Sequence, residues 1–151
     1  MARTCIWYDL ECHRDTRNVS SHPDAHSSRL VLISSRYYTV NPQAINEEGT
    51  VDVFCENRRS VMILKRPSGS QIAIIAVGAM LVGSIKYNDG IKEGVEVRRG
   101  QCLGAFFYGG STVITLYQKA RMKLDEDLVK NSCEQKCETY VKVGWRLGVE
   151  L

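Results

Sequence analysis

Phe106-Phe107-Tyr108-Gly109-Gly110-Ser111-Thr112-Val113-Ile114-Thr115-Leu116-Tyr117 places two runs of β-branched and aromatic residues on either side of a glycine pair. Read locally, the pair is the two-residue turn of a β-hairpin. The same glycines permit a second reading. Without a Cβ they let the backbone bend so that the Ser111 hydroxyl approaches the carbonyl carbon of Gly110. Attack there is an N→O acyl shift that converts the peptide bond to an ester. Elimination across Ser111 then leaves dehydroalanine, which hydrolyses to a pyruvoyl group. Four residues alone favour the turn, because short motifs match by chance.

Outward from this stretch the pattern is that of strands. The longest apolar run, residues 72–85, is interrupted at Gly78 and Gly83. It is shorter than the roughly 20 residues that span a bilayer as a helix, and it reads as core strand. Its glycines predict a bulge, a bend or a close backbone approach. Ala73, Ala76 and Ala79 keep its side-chain volume small. Upstream, Leu30-Val31-Leu32-Ile33, Tyr37-Tyr38-Thr39-Val40, Val51-Asp52-Val53-Phe54 and Ser60-Val61-Met62-Ile63-Leu64 read as short strands. Arg66-Pro67-Ser68-Gly69-Ser70 and Tyr87-Asn88-Asp89-Gly90 supply turn chemistry.

Downstream, Asp125-Glu126-Asp127-Leu128-Val129-Lys130 has acids at its start and a lysine at its end, which suits a helix. Residues 139–149 alternate again. Strands outnumber helices, and no repeat or linker divides the chain. The expected fold is mainly β, a compact barrel-sandwich-like domain with one short helix near residues 125–131.

Composition sets broad limits. A chain of 151 residues with 44% hydrophobic and 25% charged residues is ordinary globular material. It is long enough to bury about two thirds of its unfolded surface. A net charge of +3 does not argue for nucleic acid, and it allows peripheral contact with an anionic membrane. No apolar signal segment opens the chain, so the six cysteines are expected as reduced thiols. Cys133 and Cys137 share an i,i+4 spacing. A zinc site needs about four ligands, however, and all three histidines (His13, His22, His26) lie far upstream, so no metal is expected. Residues 1–32 form a polar segment of divergent character, either a loose arm or a piece that folds against something else. Pro23 makes the 22–26 histidine pair a turn rather than a helical clip.

Several dispersed stretches then resemble, in order and spacing, the C-terminal catalytic part of the phosphatidylserine decarboxylase family. They are Tyr37-Tyr38-Thr39-Val40-Asn41-Pro42, Phe54 with Glu56-Asn57-Arg58-Arg59, Ala76-Val77-Gly78-Ala79-Met80-Leu81-Val82-Gly83-Ser84-Ile85, Leu103-Gly104, Gly109-Gly110-Ser111-Thr112-Val113-Ile114 and Asp125-Glu126-Asp127-Leu128-Val129-Lys130-Asn131-Ser132. The resemblance covers residues 33–148 and reverses the local odds at Ser111. The Gly-Gly-Ser-Thr form is similar to the endomembrane type of the family.

The resemblance implies a lyase made as a zymogen. Cleavage between Gly110 and Ser111 would give a β chain of residues 1–110 and an α chain of 111–151 from one precursor. Ser111 would become the pyruvoyl cofactor, with Thr112 following it in the site. Thr39 and Asn41 would lie near the substrate, phosphatidylserine, whose decarboxylation gives phosphatidylethanolamine. A pyruvoyl ketone accepts the substrate amine and acts as the electron sink when carbon dioxide departs. On this reading residues 33–151 are the catalytic domain, endomembrane-associated or cytoplasmic.

Upstream of residue 33 the resemblance fails. The family's histidine motif, in register with Asn41, would place its two histidines near Arg17 and Ser20. Glu11-Cys12-His13-Arg14 is a displaced echo, and His13 and His22 are the available substitutes. Three readings therefore stand: the lipid decarboxylase, a soluble amino-acid decarboxylase, and a truncated non-catalytic relative serving as a binding or structural module.

Overall fold

Alternation in two neighbouring segments builds the centre of the molecule. In β3 (Arg59–Lys65), Ser60, Met62 and Leu64 are buried, and in β4 (Gln71–Val77) Ile72, Ile74 and Ala76 are buried. The computed structural model describes residues 3–8, 25–40, 52–80, 84–98, 100–107, 112–142 and 145–151. β3 and β4 pair antiparallel across the turn at residues 66–70, where Gly69 adopts φ 84°. This positive φ is open to glycine without steric cost.

Three further strands complete a curled, half-barrel sheet in the order β6-β2-β3-β4-β8. β2 (Ala25–Ile33) flanks β3, β6 (Glu96–Val97) pairs with the start of β2, and β8 (Thr112–Tyr117) lies on β4 with Thr112 opposite Val77 and Tyr117 opposite Ile72. A second sheet, in the order β1-β7-β5, is built from β1 (Arg3–Tyr8), β5 (Ser84–Tyr87) and β7 (Gln101–Phe107). Gly104 of β7 is required there, because a Cβ at this position would collide with the backbone of Lys86 and Tyr87.

The core lies between the sheets. Met62, Leu64, Ile72 and Ile74 from the first meet Ile85, Leu103 and Phe106 from the second in one cluster. Phe106, Met62 and Leu64 are fully buried, each stabilising the fold by about 1.5–3 kcal/mol. A small two-stranded antiparallel sheet of β9 (Met122–Leu124) and β10 (Gly148–Glu150) carries the C-terminus. The mainly β expectation holds, and so does the short helix. α2 (Glu126–Val129) forms where the acids predict it and continues as a π-helical turn over Lys130–Glu134.

Five local readings differ from the structure. β7 and β8 do not form a hairpin. β7 pairs with β1 and β5 in one sheet, and β8 pairs with β4 in the other. Leu103 to Phe106 are consecutively buried, as a strand covered on both faces must be, whereas β8 is an edge strand with Leu116 54% exposed. The 51–54 alternation gives a helical turn, α1 (Val53–Glu56), because the Asp52 carboxylate accepts the Phe54 and Cys55 amides, both at 3.2 Å. Residues 37–40 belong to no strand, and of the stretch from 139 only Gly148–Glu150 is strand among the described residues. Finally, the polar first segment holds β1 and the start of β2, so part of it is integral to both sheets.

Candidate functional site

β7 ends at Phe107 in one sheet and β8 begins at Thr112 in the other, so residues 108–111 join the two sheets. Thr112 lies at the end of a row that crosses the sheet through Val77 and Arg59 to Ile33. Just past Val77 come Gly78 and Ala79, both small and both buried. The Gly78 amide donates to the Arg58 carbonyl at 2.7 Å, one pair beyond Arg59 and Val77 in the same register, so the β3–β4 ladder runs on through the glycine and the bend expected there is not seen.

Asn57 organises this end of the sheet. It is fully buried, and its amide nitrogen donates to the Tyr38 and Gly78 carbonyls at 2.9 Å each while its oxygen accepts the Tyr38 amide at 2.7 Å. The side chain thus substitutes for a missing strand partner, satisfying the backbone of a segment that has no ladder of its own. The Met80 amide adds a bond to the Tyr38 carbonyl at 3.1 Å. Tyr38, the neighbour of Thr39, is therefore tied to residues 78 and 80, just past Val77, on which Thr112 pairs.

Cations gather around it. Arg58 donates to the Tyr37 hydroxyl at 2.9 Å, and Arg36 donates to that of Tyr38. Arg59 donates to the Asn57 carbonyl at 3.1 Å. The Arg58 Nε is buried without a hydrogen-bond partner among the described residues. Deeper in, Ser60 and Tyr87 share a hydrogen bond of 2.8 Å. Burial pushes the Tyr87 phenol above its ordinary pKa, against the opposing effect of the Ser60 bond, so it remains protonated at neutral pH.

Of the residues singled out from sequence, Thr39 and Thr112 are described and share this end of the sheet. Gly110, Ser111, Asn41, His13 and His22 lie outside the described residues. Asn57 and Arg58 carry no assigned role on sequence grounds. Nothing in a sequence distinguishes a buried asparagine from a turn residue, since the signal lies in the two backbone segments it joins. Among the described residues no group of three or more histidine, cysteine or acidic side chains could hold a metal.

Residues 21–149 match the family described as phosphatidylserine decarboxylase. The chain is 43% identical over 120 residues to phosphatidylserine decarboxylase proenzyme 2 of Komagataella phaffii, covering 80% of this chain and 11% of that protein. It is 44% identical over 118 residues to proenzyme 2 of Saccharomyces cerevisiae, covering 78% and 10%. To the phosphatidylserine decarboxylase proenzyme of Clostridium tetani it is 37% identical over 145 residues, covering 96% and 47%. The chain thus spans between about a tenth and just under half of these relatives. No solved structure matches it. With residues 21–149, most of its length, matched by the family, the chain belongs to the phosphatidylserine decarboxylase family.

Proposed function

We propose that this chain is the catalytic part of a pyruvoyl-dependent decarboxylase that cuts itself between Gly110 and Ser111 and then converts phosphatidylserine to phosphatidylethanolamine. The observation that carries the reading is the family match over residues 21–149, within which Gly109-Gly110-Ser111-Thr112 is intact. In self-cleavage the Ser111 oxygen bonds to the Gly110 carbonyl carbon as the C–N bond breaks, freeing the amine. Loss of the Ser111 Cα proton then expels the Gly110 carboxylate as the new end of residues 1–110. Water replaces the nitrogen, which leaves as ammonia. The pyruvoyl group so formed supplies a ketone beside an amide carbonyl, which takes up the electron pair released with carbon dioxide.

Other residues hold the reacting segment. β8 pairing fixes Thr112 on Val77, Asn57 fixes Thr39 beside it, and Thr39 and Asn41 face the substrate headgroup. His13 or His22 serves for the family histidine that Arg17 and Ser20 do not provide. A general acid–base group typically contributes about 10²–10⁴-fold, which is the deficit if neither acts. That deficit favours a second reading, a non-catalytic relative that binds without turning over. Among the described residues no helix is long and apolar enough to cross a membrane, and the proposed placement is peripheral on endomembranes.

Incubation of the purified chain and its Ser111→Ala variant with phosphatidylserine vesicles tests the reading. Phosphatidylethanolamine should form with the first and not the second. Cleavage at the same bond in Ser111→Ala would overturn it, and a cut chain active only on free amino acids would replace the lipid substrate.

A further inference from the structure

The larger sheet has an apolar face on the side away from the core. An antiparallel sheet with one face in water normally alternates apolar inside with polar outside. Here the outward row Val31, Val61, Ile75 and Ile114 is aliphatic from strand to strand and only partly buried. The next row adds Ile63, Ala73 and Leu116, the last 54% exposed, above a shallow groove of about 180 Å³ between β3, β4 and β8. The charges at its margin are of one sign. Arg29 and Lys65 are exposed beside these rows and Arg59 closes the end nearest Thr112, while among the described residues the register places only one acid on this face, Glu96 at the far β6 edge.

We propose that this face docks on an anionic lipid bilayer, the aliphatic rows entering the interface and Arg29, Lys65 and Arg59 meeting the headgroups. Each cation near such a surface is worth about 1 kcal/mol, and the apolar rows add the area term. A second copy of the chain would carry the same cations and meet them with repulsion, which is why the bilayer is the better complement. Docking in this way would bring headgroups to the Thr112 end of the sheet. The inference does not depend on self-cleavage and is tested on protein that cannot cut itself.

Ser111→Ala chain is mixed with phosphatidylcholine vesicles with or without phosphatidylglycerol, an anionic lipid that is not the proposed substrate, and the bound fraction is read by flotation. Binding should require the anionic lipid and weaken with salt. Arg29→Glu with Lys65→Glu should lower it about tenfold or more, and Leu116→Ser severalfold, with urea midpoints confirming that each variant is folded. If the double variant does not fold, each single charge reversal is measured instead. Absence of binding to anionic vesicles, or binding unchanged by these substitutions, would overturn the proposal. So would a dimer in solution that Leu116→Ser dissociates, which would assign the face to a second copy.

Discussion

The two ends of the β4–β8 pair do the same structural work with opposite chemistry. At the Val77 end, Asn57 ties Tyr38 to Gly78 through three hydrogen bonds from a fully buried, uncharged side chain. At the other end, Glu150 of β10 ties the C-terminus to the β3–β4 turn. Its carboxylate accepts from Ser68 and Ser70 and pairs with Arg66 at 2.6 Å, with the Glu150 side chain 28% exposed. The buried amide gives fixed geometry that does not titrate, at the end of the sheet where Thr112 pairs with Val77. The half-exposed carboxylate gives an attachment that water and protons can weaken, far from the candidate chemistry.

The largest predicted effect is at the buried end. Asn57→Leu strands the Tyr38 amide and the Gly78 carbonyl without partners and should cost about 3 kcal/mol in urea unfolding of Ser111→Ala protein. In the Ser111 chain it should also slow self-cleavage, followed by mass spectrometry, because the segment carrying Thr39 is released. A stability loss under 1 kcal/mol would remove Asn57 from its organising role.

The clamp end should respond less. Gly148→Ala introduces a Cβ into the backbone of Lys123 and Leu124, and the resulting overpacking should cost about 2 kcal/mol. It should leave the cleavage rate unchanged. Glu150→Gln should cost less than about 1 kcal/mol, as a partly exposed ion pair does.

That last difference carries a pH signature. Burial opposes ionisation of Glu150, but the hydrogen bonds from Ser70 and Ser68 and the charge of Arg66 together hold its pKa below the ordinary glutamate value. A depressed folded-state pKa contributes stability above the unfolded pKa, about 4.3 for glutamate, and that contribution is lost as pH falls through the folded value. The urea midpoints of parent and Glu150→Gln should therefore differ at pH 7 and converge in acid. A gap that persists in acid would mean that the clamp works by packing rather than charge.

What the sequence makes legible follows from the same physics. The apolar runs 60–64 and 72–85 suffice to assign core strand, found at Arg59–Lys65, Gln71–Val77 and Ser84–Tyr87, and the acids at 125–127 suffice for the helix start. Gly78, expected to mark a bulge, a bend or a close approach, instead continues the ladder with Arg58. Partnership is not legible. Residues 106–117 carry every local sign of a hairpin, yet which sheet each strand joins depends on β1, β4 and β5, and β1 lies in a segment that composition alone marks as a polar arm. Asp52 is a further case, where a single cap converts an alternating tetrapeptide into a helical turn. Of the candidate site, Ser111 and Thr112 are legible through the order of dispersed motifs, whereas Asn57 acquires its role only when residues 38 and 78 are brought to either side of it.

Self-cleavage is the claim on which the functional account rests, and the intact mass of the purified chain under denaturing conditions, with and without reductive amination, tests it most directly. The account predicts two species, residues 1–110 and residues 111–151, with only the smaller one gaining mass from the amine. A single uncut chain that does not react would contradict it.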